Sequence, residues 1–345
     1  MIPGLELWPD QDETQPVAQA DIDALVEATR DVGEVLLKAR FHGPGQLAQV
    51  AEAVPGAWFI SRPRSEGWTA TEIAIGIAQA RRGFTDAGLR KRWLAHIVSG
   101  EPNHPDGPFR DTGAADYAAV LADGRNQADL DGVPLASPGL TPMYGTAAYA
   151  ERLGRFIWVY RSAHCYGERV AADDGEESSL RRALDDVAVQ VGADTPPDRV
   201  LVTELGDATR DKPHDARVAW VTSAMGRLAE RRVAGATIFI LRAPGWERYE
   251  LGAAAFNQIL RSVPAATMPT NMPAVIPPES GDSMPIVNGF SVGPGVAAAL
   301  RELGDVPTSD EIWENPRTFS QTFAKRHVIW YNPASGETVV VERKR

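Results

Sequence analysis

Short apolar, β-branched or aromatic runs alternate with longer amphipathic stretches along most of this 345-residue chain, and this alternation constrains the fold more than any other feature. Such a pattern predicts successive strand and helix units around a parallel sheet. Strands are expected at about 5–8, 35–39, 58–61, 94–99, 133–136, 156–163, 200–203 and 237–241. Helices are expected at roughly 18–31, 45–53, 69–82, 114–126, 146–153, 179–191 and 215–234, with 252–262 after the last strand. In the third helix Thr69 can cap, Glu72 follows three residues on as in a capping box, and Ile73 and Ile77 recur at helical spacing. Eight strands and eight helices in strict order over about 262 residues match an α/β (β/α)8 TIM barrel. A doubly wound open sheet is the alternative, because alternation alone does not show closure, but no strand is followed by a G-x-G-x-x-G turn.

Beyond residue 262 the pattern stops. Residues 263–285 hold six prolines and no helical or strand period, so they read as a Pro-rich linker or extended strap. Residues 286–345 read as a small α+β module of unknown role, with a helix near 295–303 and a hairpin in HVIWYNPASGETVVVE. A piece of that size is marginal alone and is expected to dock on the barrel. Its Trp313, Phe319, Phe323, Trp330 and Tyr331 form either a small core or a glycan-binding face. Composition removes several classes of function. With 35 basic against 46 acidic side chains the net charge is −11, which argues against a nucleic-acid partner. The single cysteine, Cys165, excludes a disulfide framework and any multi-thiolate metal site. The first residues have neither a basic nor an apolar region, so no secretory signal is read there, and no run reaches the roughly 18 apolar residues of a membrane span. The reading is a soluble chain with no membrane partner, cytoplasmic or released by a non-classical or phage-type route.

In a barrel, chemistry sits where the strands end. The expected strand four stops at Gly100-Glu101-Pro102-Asn103, strand six at His164-Cys165-Tyr166-Gly167, and strand seven at Glu204-Leu205-Gly206. Two carboxyl groups facing across one cleft are what glycoside hydrolysis needs, one giving a proton to the leaving oxygen and the other ionised. A separation of about 5–5.5 Å makes the second a nucleophile and the reaction retaining.

These pieces resemble motifs of the retaining glycosidases of the TIM-barrel superfamily often called clan A. Gly100-Glu101-Pro102-Asn103 with Ala115-Asp116-Tyr117-Ala118 is similar to that family's "NEPN … DYA" region. His164-Cys165-Tyr166-Gly167 is similar to its "H-x-Y-G", and Val202-Thr203-Glu204-Leu205-Gly206 to its "ITE-[FL]-G". The resemblance covers residues 1–262. It implies Glu101 as acid/base, Glu204 as nucleophile, and His164 and Tyr166 lining the subsite of the scissile sugar, with Tyr166 hydrogen-bonding the nucleophile. Trp246 is implied as a stacking platform for the sugar. No cofactor or metal is implied, and the partner is an oligo- or polysaccharide, with a β-linkage expected. The superfamily has Asn before the acid/base, binding the sugar 2-hydroxyl, where this chain has Gly100. Three explanations stand open: another residue such as Asn103 or Arg40 replaces it, the substrate lacks an ordinary 2-hydroxyl, or the site has lost activity. A non-catalytic glycan-binding relative and a phage or cell-wall lytic glycosidase acting on an amino-sugar polymer are the alternative functions.

Other candidates rank lower. Trp8, Arg40, His42 and Arg62 fall near the ends of expected strands one to three, within reach of substrate. His104 reads as a loop histidine, and Asp207, Asp211 and His214 form only a loose acidic cluster. Cys165, between His164 and Tyr166, is turned away from both by strand alternation.

Overall fold

The structure is a computed structural model. It describes residues 1–7, 15–39, 43–63, 66–109, 113–130, 132–142, 144–156, 158–167, 175–207, 209, 212–241 and 250–264, and six later strands by their backbone. The chain divides into two compact units, Met1–Val275 and Ile276–Arg345.

The first unit alternates strand and helix throughout. Its strands are β1 (Ile2–Leu7), β2 (Val35–Ala39), β3 (Ala57–Ser61), β4 (Trp93–Ile97), β5 (Leu135–Ala136), β6 (Arg161–Gly167), β7 (Val200–Asp207) and β8 (Gly235–Ile238). Its helices are α1 (Gln19–Ala28), α2 (Pro44–Ala53), α3 (Ala70–Asp86), α4 (Ala114–Gln127), α5 (Thr146–Leu153), α6 (Glu176–Val191), α7 (His214–Glu230) and α8 (Ala253–Ser262). The strands form one eight-stranded sheet in the order β5-β4-β3-β2-β1-β8-β7-β6, and every pairing in it is parallel. A parallel bridge between Ala136 and Tyr160 brings the two ends together, giving a nearly closed (β/α)8 barrel. Outside the sheet, α8 closes the helix ring on α1: the Asn257 amide donates to the carbonyls of Ala28 and Arg30 at 3.2 and 2.6 Å.

Alternation along each strand separates two apolar layers. Leu5 and Leu7 of β1, Leu37 of β2 and Phe59 of β3 pack with helix residues such as Leu25, Leu47, Ile73 and Ile77. Ile2, Leu36, Ile60, Leu94 and Leu201 form a separate cluster inside the barrel. The expected capping box is present at α3: Thr69 Oγ1 accepts from the Glu72 N–H at 3.2 Å, and Glu72 Oε2 accepts from the Thr69 N–H at 3.0 Å.

The largest displacement from the sequence reading is at β6, expected at 156–163 and found at Arg161–Gly167. The aromatic run that suggested a strand packs elsewhere: the Arg125 guanidinium lies over the rings of Phe156 and Trp158, and the Trp158 indole donates to the Leu153 carbonyl at 2.8 Å. The true strand alternates polar inward residues, Ser162, His164 and Tyr166, so hydrophobicity did not mark it. For the same reason β7 runs past the expected end at 203 to Asp207. His164, Tyr166 and Glu204 therefore stand on strands rather than on the loops beyond them.

In the second unit β9 (Ile286–Val287) pairs antiparallel with β10 (Phe290–Ser291). A four-stranded antiparallel sheet follows, β11 (Ile312–Asn315), β12 (Thr318–Thr322), β13 (His327–Asn332) and β14 (Glu337–Glu342). The expected hairpin is β13 with β14, whereas the helix expected at 295–303 lies outside the described residues.

Candidate active site

A single extra residue aims Glu204 into the barrel. Leu201 belongs to the inner cluster and Val202 to the helix-facing one, so strict alternation would send Glu204 outward with Val202. Against β6, however, Ala163 pairs with Val202 and the next residue, His164, pairs with Glu204, leaving Thr203 as a β-bulge. The bulge reverses the phase, and Leu205 joins the helix-facing core instead. The Thr203 carbonyl accepts from Thr237 Oγ1 at 2.8 Å, which satisfies a group that ladder pairing no longer serves.

His164 and Tyr166 point inward from β6 and meet Glu204. Tyr166 donates its hydroxyl to Glu204 Oε2 at 2.7 Å. His164 Nδ1 lies 3.5 Å from the same oxygen and 2.8 Å from Glu101 Oε1. Glu101 sits in the loop after β4. One carboxylate oxygen of each glutamate and a ring nitrogen of His164 all lie within 4.8 Å of one another. The structure thus brings four of the residues singled out in the sequence into one cluster.

Beneath them runs a buried line of charge, of which the sequence reading named Arg62 but neither Lys38 nor Glu6. Lys38 of β2 places Nζ 2.7 Å from Glu204 Oε1 and 2.9 Å from Glu6 Oε2 of β1. Lys38 is 1% exposed and Glu6 0%. Arg62, just past β3, holds Nη1 3.9 Å from Glu204 Oε1. Burial by itself would raise the Glu204 pKa, but His164, Lys38 and Arg62, with the Lys38 hydrogen bond, outweigh it and hold the carboxyl well below its usual range. Tyr166 is shifted the other way, by burial first and then by Glu204 and Glu101, so its phenol stays a donor. The available signal was an inward Lys and an inward Glu in strands whose neighbours on the other face, Leu5, Leu7 and Leu37, are apolar.

Gly100 has a local reason. A Cβ there would collide with Glu66 Oε2 and approach Arg62 Nη2 to 3.2 Å, so a carboxylate–guanidinium pair 3.0 Å apart fills the space a side chain would take. Asn103 is committed to the loop: its amide donates to the carbonyls of Thr141 and Tyr144 at 2.7 and 2.9 Å, and its oxygen accepts from the Thr141 N–H at 2.8 Å. Trp246, Arg40, Trp8 and His42 lie outside the described residues. At the end of β8, Phe239 meets the Tyr166 ring edge-on at 6.2 Å.

The lower-ranked candidates settle elsewhere. Asp207 accepts from Lys212 Nζ at 2.5 Å and His214 Nε2 lies 2.9 Å from the Leu251 carbonyl, so the two serve separate contacts. His104 Nδ1 accepts from the Asp106 N–H at 3.2 Å. Cys165 is fully buried in the helix-facing core, and burial pushes its thiol up to about 12. Glu101, His164 and Glu204 have donor types suited to a divalent cation. Lys38 and Tyr166 already occupy both Glu204 oxygens, and Lys38 and Arg62 place fixed positive charge beside them, which opposes a further cation.

No protein-family model matches the chain, and no curated protein sequence matches it. Solved structures do. A GH128 subgroup II endo-β-1,3-glucanase from Sorangium cellulosum superposes with a TM-score of 0.53 at 18% identity, over 77% of this chain and 100% of the other. A GH2 β-galacturonidase from Eisenbergiella tayi superposes with a TM-score of 0.51 at 10% identity, over 76% of this chain and 51% of the other. The shared fold is the (β/α)8 barrel. At these identities the likeness concerns the fold and leaves the chemistry to the site.

Proposed function

We propose that the protein is a retaining glycoside hydrolase acting on a neutral, β-linked oligo- or polysaccharide. The observation that carries this reading is the Glu101–His164–Glu204 cluster within 4.8 Å at the sheet end, with one carboxylate held ionised against Lys38. Glu204 attacks the anomeric carbon as the glycosidic C–O bond breaks, and Glu101 gives the departing oxygen its proton. The sugar is then an ester of Glu204. Glu101, now a base, takes a proton from water, the water oxygen attacks the anomeric carbon, and Glu204 leaves as carboxylate. His164 Nδ1 faces both carboxyls and orients the proton on the Glu101 side. Lys38 and Tyr166 hold one nucleophile oxygen each, which fixes the attacking carboxylate without reorganisation.

Four carboxylates, Glu6, Glu66, Glu101 and Glu204, surround two fixed cations, Lys38 and Arg62, and this balance favours a neutral sugar over an anionic one. A β-1,3-glucan is the first polymer to try, in view of the glucanase neighbour, with an aryl galacturonide as the anionic arm and peptidoglycan as the amino-sugar arm.

The deciding experiment pairs wild type with Glu204→Gln. Wild type should release reducing ends with retention at the anomeric carbon by proton NMR, and the variant should lose at least about three orders of magnitude in kcat. Inversion would overturn the nucleophile assignment. Binding without any release would replace the enzyme by a glycan-binding barrel.

A further inference from the structure

The weakest seam of the sheet lies beside its most demanding residue. β5 is two residues long, and its bridge from Ala136 to Tyr160 falls just before β6 begins at Arg161. Beyond that bridge no ladder bond joins β6 to the described residues after β5, so the backbone of β6 on this side needs other partners. Ser162 N–H finds Ser137 Oγ at 2.9 Å. At His164 the partner is one side chain: Gln190, in the last turn of α6, accepts the His164 N–H on Oε1 at 2.7 Å and donates from Nε2 to the His164 carbonyl at 2.7 Å. The same Oε1 takes the Leu140 N–H at 3.3 Å, so the amide also ties in the segment that follows β5. A carboxamide has the donor and acceptor of a peptide group, and here it stands where a neighbouring strand would be.

We propose that Gln190 is the positioning residue of the site, a surrogate strand that fixes His164 and through it the spacing of Glu101 and Glu204. The inference rests on the glycosidase reading for its kinetic consequence, though not for its geometric one. Gln190 is 1% exposed, and its amide bonds go to His164 and Leu140 rather than to either carboxylate, so it reaches the carboxylates through His164. Gly139 backs the imidazole on its other side, where a Cβ would collide with Nε2. With backbone clamped and ring backed, Nδ1 has one place to be, between Glu101 and Glu204. The groups facing that nitrogen are Glu101 from the β4 loop, Glu204 from β7 with Lys38 and Arg62 behind it, and Tyr166 from β6 itself. Arg161 donates to the Gln190 main-chain carbonyl at 3.3 Å, a contact that side-chain substitution leaves in place.

Two full-length variants test this. Gln190→Leu removes both bonds, and Gln190→Glu keeps the acceptor for the His164 N–H and loses the donor to the carbonyl. On the best glycoside, kcat per folded molecule should fall about tenfold to a hundredfold in the Leu variant and less in the Glu variant, with KM within about twofold, as expected for a displaced reacting geometry. The His164 imidazole ring chemical shifts, followed by NMR at one pH, should move in both. If Tm falls while kcat and the His164 ring shifts match wild type, Gln190 is only structural and the proposal fails. If wild type cleaves no glycoside, the His164 ring shifts alone still decide it, because that readout does not depend on turnover.

Discussion

At Lys38 one ammonium serves two carboxylates, and its substitution separates the two duties. Lys38→Met takes from buried Glu6 the ammonium 2.9 Å away, which should lower Tm, and takes from Glu204 one of the charges that keep its pKa low. The acid limb of kcat/KM should therefore move to higher pH, because Glu204 becomes easier to protonate. In the wild type Glu204 stays ionised throughout the usual carboxylate range, so the acid limb set by this group lies below it. The linkage to stability has the same sign. A carboxyl whose folded pKa is depressed contributes fully above the unfolded value of about 4.3 and loses that contribution as pH falls below it. A companion Lys38→Met/Glu6→Leu double variant should regain much of the lost Tm without regaining activity, since the buried charge is removed but the nucleophile's cation stays absent. Gly100→Asn gives a second residue-scale outcome. A Cβ there pushes the flexible, partly exposed Glu66 carboxylate off Arg62, so activity should fall modestly, and Glu66→Ala in the same chain should restore part of it by opening the space. Equal loss in the single and double variants would show that the pair does not compete for that place.

Among the elements, β7 carries one inserted residue. Deleting Thr203 brings Glu204 next to Val202, so plain alternation against β6 keeps Glu204 inward opposite His164 and Leu205 in the helix-facing core. Far-UV circular dichroism should stay close to wild type and part of the turnover should be kept. Complete loss of turnover would mean that the bulge itself, and not only the phase of the strand, holds Glu204 in place. Element placement was largely legible in the sequence: α5 is found at the expected 146–153, β2 at 35–39, and the α3 capping box where Thr69 and Glu72 predicted it. The strand that the apolar runs misplace is β6. Apolar runs mark strands whose inward face is core, but at the functional end the inward face is His164 and Tyr166, and the rings of Phe156 and Trp158 pack on each other instead.

For the molecule as a whole, the described site draws on β1, β2, β4, β6 and β7 and the segments next to them, all in the first unit. A chain ending at residue 264 should therefore keep the kcat of the full chain on a short soluble glycoside. A barrel that is folded by circular dichroism yet inactive would show that residues 265–345 complete the site.

The residues of this chain by themselves determined the (β/α)8 alternation, the two glutamates and the His-x-Tyr pair. Periodicity is a local property written in side-chain hydrophobicity, and catalytic side chains keep their chemical type wherever they are placed. Only the tertiary structure decided that Glu204 faces inward, because a bulge is a mismatch between two strands and exists only once β7 meets β6. It alone placed Lys38 between Glu6 and Glu204, filled the space beside Gly100 with Arg62 and Glu66, and set Gln190 at the seam. Each of these is a contact between residues far apart in the chain, and no pattern within a single segment encodes such a contact.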